Sequence, residues 1–149
     1  MTDEAHLSDY GSILGGVSFD KSTNGPTISE RTSTVIWRMA KRVNEPVFMW
    51  NVFPLHPYEH GRPFSNRCHT SAERAALGWV LQDVLSILKP QKIYAIGRDS
   101  QTYLDSAGHT SVALRHPSYG GQTEFVRQIE AEYQLTPEDC SGDKQLTLI

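Results

Sequence analysis

The apolar run over residues 47–53 constrains the fold of this chain more than any other stretch of the sequence. The run is apolar on both faces except for Asn51, which is typical of a central strand in a parallel sheet that helices cover on both sides. Two shorter apolar runs, over residues 92–96 and 112–114, predict two further strands. Helical segments alternate with these runs, so the sequence predicts an α/β fold with an open parallel sheet flanked by helices.

Periodicity and start signals predict the helices. Thr27 with Glu30, and Thr70 with Glu73, each match a capping box, in which a hydroxyl and a carboxylate satisfy free amides at a helix start. The predicted helices cover residues 2–14, 27–42, 70–88, a short stretch that ends near 107, and 122–133.

Length and composition are those of one globular domain. The 149 residues suffice for one core, and we expect a single domain over residues 1–135 followed by a tail over residues 136–149. The net charge of −3 argues against a protein that coats nucleic acid without specificity, because such binding requires many neutralised phosphates. Neither a signal peptide nor a membrane-spanning run is recognisable, so we expect a cytoplasmic protein with no membrane partner.

Signals for metals and cofactors are weak. Cys68 and Cys140 lie far apart without a CxxC spacing, which favours two free thiols. The loop over residues 54–69 contains four possible metal ligands, namely His56, His60, Cys68 and His69. Their spacing matches no common zinc signature, and the glycines form no phosphate-binding motif. The sequence therefore predicts neither a metal nor a cofactor.

Two polar side chains stand near the carboxyl ends of predicted strands, Asn51 in the first and His116 just after the last. Ligands bind at these strand ends in open α/β sheets, so a titratable group and an amide there are candidates for a site. A buried amide also costs free energy unless its hydrogen bonds are met. The alternatives are that Asn51 caps the following loop and that His116 is satisfied by the backbone of an ordinary turn.

These residues resemble motifs of the uracil-DNA glycosylase superfamily. Residues 48–55, Phe-Met-Trp-Asn-Val-Phe-Pro-Leu, are similar to the strand whose asparagine reads uracil, and residues 116–118 match the His-Pro-Ser motif. The spacing within residues 51–73 is similar to that of the single-strand-selective monofunctional branch. The resemblance covers about residues 27–133, and two motifs in the right order are more specific than either alone.

The resemblance implies a DNA repair N-glycosylase that hydrolyses the bond between deoxyribose and uracil, or a related damaged base, and leaves an abasic site. His116 would be the catalytic residue, which stabilises the departing anion by a hydrogen bond to the uracil carbonyl. Asn51 and Phe53 would bind the base, and Asn51 would pair with the N3 donor and O4 acceptor, a pattern that cytosine reverses. The implied partner is DNA containing such a base, with no obligate protein partner.

A base must be flipped out of DNA before this chemistry, so the resemblance also implies DNA-binding residues. The loop after His116 is similar to the family segment that grips phosphate and enters the groove, although its Tyr-Gly-Gly continuation replaces the usual proline-rich one. In that role Ser118 and the loop amides would hold phosphate oxygens, while Tyr119 would stack or wedge. The implied DNA-binding residues are Pro117, Ser118, Tyr119, Gly120, Gly121, Arg62, Arg67 and Arg115.

One family motif has no counterpart in the sequence. It is a Gly-x-Asp/Asn-Pro type loop after the family's first strand, which places the water and packs around the flipped uracil. Residues 2–4 resemble the sequence downstream of that motif, so we expect a domain that lacks the first strand. Two other functions therefore remain open: a catalytically impaired DNA- or base-binding remnant of the same fold, and an unrelated flavodoxin-like small-molecule binder.

Overall fold

The computed structural model describes residues 31–62, 65 and 67–137. Along this part of the chain the helices and strands follow in the order α1 (Arg31–Val43), α2 (Ser71–Ala76), α3 (Gly78–Leu88), β1 (Tyr94–Ile96), α4 (Arg98–Ser106), β2 (Val112–Leu114) and α5 (Gln122–Tyr133). Two compact units result. The terminal unit comprises Met1–Val47 with Leu114–Ile149, and the central unit comprises Phe48–Ala113. The predicted mixture of helices with a parallel sheet is confirmed.

In the terminal unit, α1 packs against α5. Each helix buries an apolar face, and burial of this kind is the main source of stability for helices of this length. The buried apolar side chains of the two helices are Val35, Trp37, Met39, Ala40, Phe125, Val126 and Ile129. The bounds of α5 agree with the predicted helix over residues 122–133, and Leu114, at the end of β2, is buried as well.

Local backbone signals end α1 where the sequence suggests. Asn44 adopts a left-handed conformation, with φ 56°, and donates its N–H to the carbonyl of Ala40 at 3.2 Å. Pro46 then disfavours helical backbone at the residue before it, so the helix does not resume. Lys41 and Arg42 occupy the last turn, where positive charge is favourable near the negative end of the helix dipole.

A buried ion pair joins the two helices of the terminal unit. Arg42 Nη1 lies 2.7 Å from Glu130 Oε1, and the Glu130 side chain is only 8% exposed. A second nitrogen of Arg42 donates to the carbonyl of Thr136. Because the Glu130 carboxylate is buried, loss of its positive partner would be costly. The pair therefore links α5 and the chain that follows it to the last turn of α1.

The central unit contains a strand, helix and strand in succession, as predicted. β1 and β2 form a two-stranded parallel sheet, and α4, which connects them, packs against β1. Residue Val112 donates its N–H to the carbonyl of Ile93 at 2.8 Å. The core of this unit consists of Leu81, Ala95 and Leu104, with Leu85, Ile93 and Tyr103 packed around them.

The predicted capping box at Thr70 is present. The Thr70 hydroxyl accepts the Glu73 N–H at 3.2 Å, and the Glu73 carboxylate accepts the Thr70 N–H at 2.7 Å. The predicted helix over residues 70–88 is nevertheless two helices. Leu77 has φ −108° and ψ 7°, outside the helical range, and it ends α2 and begins α3. The two capping-box bonds act only on the first turn, so they do not hold the helix together six residues later.

The prediction of a strand over residues 47–53 is wrong. This segment has irregular backbone, and Phe48, Trp50 and Asn51 are exposed. Phe48 and Trp50 stack on each other with ring centroids 5.9 Å apart, since alternate residues of an extended chain share a side. A central strand needs neighbouring strands for its amides and carbonyls. Within the described residues, the sheet consists of β1 and β2 alone.

Several predictions concern residues outside the described ranges. These are the helix over residues 2–14, the capping box at Thr27, the expected lack of the family's first strand, the free thiol of Cys140 and most of the tail from residue 136. The single domain over residues 1–135 and the cytoplasmic location stay predictions. In the described ranges, no helix has the length and apolar character that crossing a membrane requires.

Candidate functional site

His116 lies just beyond the end of β2 in the terminal unit, as the sequence predicts. It is half-buried, between the exposed Arg115 and the buried Pro117. The chain reaches it directly from the buried Leu114. His116 therefore closely follows the buried end of the strand and is itself partly accessible to solvent.

Both polar groups of Ser118 contact the same ring nitrogen of His116. The Ser118 N–H donates to His116 Nδ1 at 3.2 Å, and the Ser118 hydroxyl lies 2.7 Å from the same atom. A backbone N–H can only donate, so Nδ1 must accept and carries no hydrogen. The hydroxyl then donates to Nδ1 as well. In the neutral ring the hydrogen is therefore on Nε2, which makes Nε2 a donor.

A tight turn follows His116. Gly121 donates its N–H to the carbonyl of Ser118 at 3.0 Å, and the two central residues both have positive φ, 50° at Tyr119 and 75° at Gly120. Positive φ at both central positions is characteristic of a type I′ turn. Glycine adopts such backbone freely, whereas a residue with a Cβ pays roughly 1 kcal/mol for it. The turn thus presents the Tyr119 side chain, which is 98% exposed, at some conformational cost.

Gly121 has no room for a side chain. A Cβ at this position would lie 2.1 Å from the carbonyl oxygen of His116 and 3.0 Å from two atoms of the Arg115 side chain. The first contact is with backbone, which has little freedom to move. The family resemblance implies that Gly121 contacts DNA. In the structure Gly121 has a second role, because its missing side chain lets α5 begin directly against the backbone of His116.

Gln128 is a contact of this loop that the sequence analysis missed. Its Oε1 accepts the N–H of Arg115 at 2.6 Å, so a side chain of α5 holds the peptide that precedes His116. The two residues are 13 positions apart, with a turn between them, and no motif links them. Only the return of α5 past the end of β2 brings them together.

The two predicted base-binding residues lie in the central unit, in the irregular segment before residue 54. The Asn51 side chain is exposed. Phe53 is half-buried and stacks on His69, with ring centroids 5.2 Å apart and ring planes 18° from parallel. Asn51 and His116 thus belong to different units, and their proximity stays a prediction.

The two arginines predicted to neutralise phosphate in the long loop already have acidic partners. Arg62 pairs with Glu59 at 2.7 Å, three residues away, and both side chains are largely exposed. Arg67 makes a two-pronged contact with Glu73, and it also donates to the backbone carbonyls of Tyr58 and Cys68, each at 3.0 Å. Arg67 therefore ties the loop to the start of α2, and of the two Arg62 has the more exposed guanidinium.

Glu73 is an acid whose pKa its hydrogen-bond partners lower strongly. Its hydrogen bonds with Arg67, together with the smaller effect of the hydrogen bond from the Thr70 amide, lower the pKa of Glu73 from 4.5 to about 2. The same contact raises the pKa of Arg67. The sequence identified Glu73 as a capping residue, but nothing in the pattern indicated its second partner.

Three of the four possible metal ligands of the loop have other contacts or surroundings, and the fourth, His60, is exposed. His56 donates through Nε2 to the carbonyl of Ser65 at 2.8 Å, His69 stacks on Phe53, and Cys68 is an exposed free thiol. Across the described ranges, no group of three His, Cys, Asp or Glu side chains is arranged to hold a metal ion.

Comparison of the chain with models of known protein families, with curated proteins and with solved structures finds no match.

Proposed function

We propose that the protein is a monofunctional DNA N-glycosylase that releases uracil, or a related damaged base, from DNA. The observation that carries the proposal is the pair of hydrogen bonds from Ser118 to His116 Nδ1. They leave Nε2–H as a donor on a half-buried ring at the end of a strand. A neutral donor fixed in this way is suited to a base that departs as an anion.

The reaction requires little covalent participation by the protein. The bond between C1′ of the sugar and N1 of uracil breaks, and its electron pair leaves with the base. Water adds its oxygen to C1′ and loses one proton to solvent, and the departing uracil anion takes up one proton, so the products are neutral uracil and an abasic sugar. Charge develops on the base oxygen in the transition state, and a preorganised donor there stabilises it more than it stabilises the ground state. His116 Nε2–H is that donor in this proposal.

Asn51 is the proposed base reader. Its side-chain oxygen would accept the N3–H of uracil while its NH₂ group donates to O4, and cytosine offers the opposite pattern at this edge. The assignment requires the amide to be held against rotation. Asn51 is exposed, so DNA or the flipped base has to complete the contacts that hold it. Membership of the uracil-DNA glycosylase superfamily belongs to the same proposal, with residues 47–53 as the irregular segment that presents Asn51.

The turn after His116 is the proposed DNA contact. Ser118 directs its hydroxyl hydrogen to His116, so the donors available for a phosphate oxygen are the backbone amides at the exposed tip, Tyr119 and Gly120. The Tyr119 ring, 98% exposed, would stack on an unpaired base or fill the space that the flipped base leaves. Arg115, also exposed, would neutralise an adjacent phosphate.

A second function is favoured by the exposure of Asn51. An unpaired, exposed amide is a poor discriminator between uracil and cytosine, as expected of a remnant that binds DNA or bases without turnover. The two functions differ in one product. A glycosylase leaves abasic sites in an oligonucleotide that contains uracil, whereas the remnant binds it in a salt-sensitive manner and leaves it intact.

The test is release of uracil from an oligonucleotide with one uracil, followed by alkaline cleavage at abasic sites. We expect turnover by the wild-type chain. The rate of uracil release should fall about 100-fold in His116→Ala, since one anion-stabilising donor is removed. Asn51→Asp should lose uracil release, and any new activity of this variant should be directed at cytosine. The controls are His109→Ala, whose ring contacts Gln82, and Asn44→Asp at the end of α1. Wild-type release in both site variants would contradict the proposal, and absence of turnover by the wild-type chain would favour the remnant.

A further inference from the structure

We infer that Gln128 is a positioning residue for His116, an inference that rests on the proposed function. Gln128 does not contact the reacting atoms in this assignment. It acts through the backbone, because its Oε1 accepts the N–H of Arg115 at 2.6 Å, one residue before the histidine.

The helix that carries Gln128 is firmly held. Its neighbours Phe125, Val126 and Ile129 are buried, and Glu130 pairs with Arg42 of α1 at 2.7 Å. Gln128 itself is half-buried on this helix. Its side chain therefore extends from a fixed backbone, and the hydrogen bond transfers that fixed position to the point where the chain leaves β2.

Three contacts together determine where the His116 ring lies. Gln128 holds the peptide before His116. Gly121 lies close to the His116 carbonyl oxygen and limits its movement, and Ser118 orients the His116 ring. The first two act on the backbone and the third acts on the side chain. Loss of the Gln128 contact would leave the ring in the same tautomer but release the backbone that places Nε2.

The chemistry of the contact identifies the atom that matters. The Arg115 N–H needs an acceptor, and residue 128 supplies it with a carbonyl oxygen at the end of a two-carbon stem. Glutamate has the same length and keeps an acceptor at that position. Methionine has a similar length and suits a helix, but its thioether is only a weak acceptor. Gln128→Glu keeps the acceptor and Gln128→Met removes it, while both keep a side chain of similar length. Comparison of the two variants therefore distinguishes the effect of the hydrogen bond from the effect of side-chain packing.

The experiment compares Gln128→Met, Gln128→Glu and the wild-type chain, with Gln82→Met as the control, since Gln82 accepts from His109 in the central unit. Single-turnover uracil release, DNA affinity and thermal unfolding are measured for each. We expect Gln128→Met to release uracil about 10-fold to 100-fold more slowly, as is typical when a supporting contact of a functional group is lost. DNA affinity and unfolding temperature should change little, and Gln128→Glu should recover most of the rate. A Met variant as fast as the wild type, or a loss that Glu does not recover, would overturn the inference.

A second readout separates this inference from the proposed function. The ring resonances of His116, assigned by their absence in His116→Ala, should shift in Gln128→Met and return in Gln128→Glu, while the Gln82→Met control leaves them in place. This measurement needs no turnover. If the wild-type chain releases no uracil, the proposed function fails, yet the spectra still decide whether Gln128 positions His116. Unchanged ring resonances in Gln128→Met would overturn the positioning role.

Discussion

The segments that carry the predicted catalytic residue and the predicted base-binding residues differ in how their backbone is held. Residues 112–121 are held by contacts within the segment and by one contact from the next helix: Ser118 contacts His116, Gly121 closes the turn, and Gln128 of α5 accepts the Arg115 N–H. Residues 47–53 have irregular backbone, and their aromatic side chains Phe48 and Trp50 are exposed and stack on each other. A histidine at a loop can be prepared by local contacts, whereas an asparagine in a central strand depends on other strands beside it.

The ion pair of the terminal unit and the ion pair at the start of α2 also differ in their exposure to water. The terminal unit pairs Arg42 with Glu130, which is buried, so the pair is sheltered from water. The loop before α2 uses the more exposed pair Arg67 and Glu73, reinforced by backbone carbonyls and the capping box. Water and salt weaken an exposed pair, so the loop is held less strongly than α5.

The largest expected effect comes from Gly121→Ala. The added Cβ would lie 2.1 Å from the carbonyl oxygen of His116, so the backbone has to move. We expect a loss of about 3 kcal/mol in the free energy of unfolding, at the upper end for overpacking, and a large loss of uracil release. Urea denaturation measures the first and the oligonucleotide assay the second.

The matched control for that change is Gly78→Ala. A Cβ there would lie 3.7 Å from the Tyr103 hydroxyl, which is ordinary contact, and alanine favours a helix. We expect Gly78→Ala to be at least as stable as the wild type. If Gly121→Ala had wild-type stability and activity, the tight placement of His116 against α5 would be refuted.

An intermediate effect of the opposite sign is expected for Tyr119→Gly. The substitution removes the cost of positive φ at a residue with a Cβ, so the free energy of unfolding should rise by about 1 kcal/mol. The proposed stacking on DNA is lost at the same time, and affinity should fall about 10-fold. Urea denaturation and a DNA titration at constant salt give the two values.

Gln134→Gly serves as the control for Tyr119→Gly. Gln134 also has positive φ, 53°, at the end of α5, so the same relief of strain is expected there without a change in DNA affinity. A Tyr119→Gly protein that is less stable than the wild type would show that the tyrosine makes contacts that outweigh its strained backbone.

The smallest expected effect concerns the half-buried pair of Arg67 and Glu73. The folded state lowers the pKa of Glu73 from 4.5 to about 2, so this pair stabilises the folded state fully above about pH 4.5. The contribution decreases as pH falls toward 2, where Glu73 becomes protonated. A titration of the Glu73 carboxyl carbon by NMR should have its midpoint near pH 2 and move toward 4.5 in Arg67→Met.

Arg62→Met provides the comparison for the Glu73 titration. Arg62 pairs with Glu59 and not with Glu73, so its removal should leave the Glu73 midpoint in place. An equal displacement in both arginine variants would mean that general charge near the loop, and not the Arg67 contact, sets the pKa of Glu73.

The sequence by itself determined the features that depend on nearby residues. The helix over residues 122–133, the capping box between Thr70 and Glu73, and the strand, helix and strand over residues 92–114 follow from periodicity and turn chemistry. The position of His116 just after a strand also follows from its neighbours. Each of these features is completed within a few turns of the chain, so a local pattern is sufficient to specify it.

Only the tertiary structure decided which residues meet where no sequence motif links them. An apolar run such as residues 47–53 fits a buried strand, but backbone pairing depends on which strands are beside it. Three contacts depend in the same way on how the chain folds back on itself. They are the contact of Glu73 with Arg67, the hydrogen bond from Arg115 to Gln128 and the close approach of Gly121 to His116. Hydrogen bonds and steric contacts act over a few ångströms in space, and sequence spacing alone does not reveal which residues come that close.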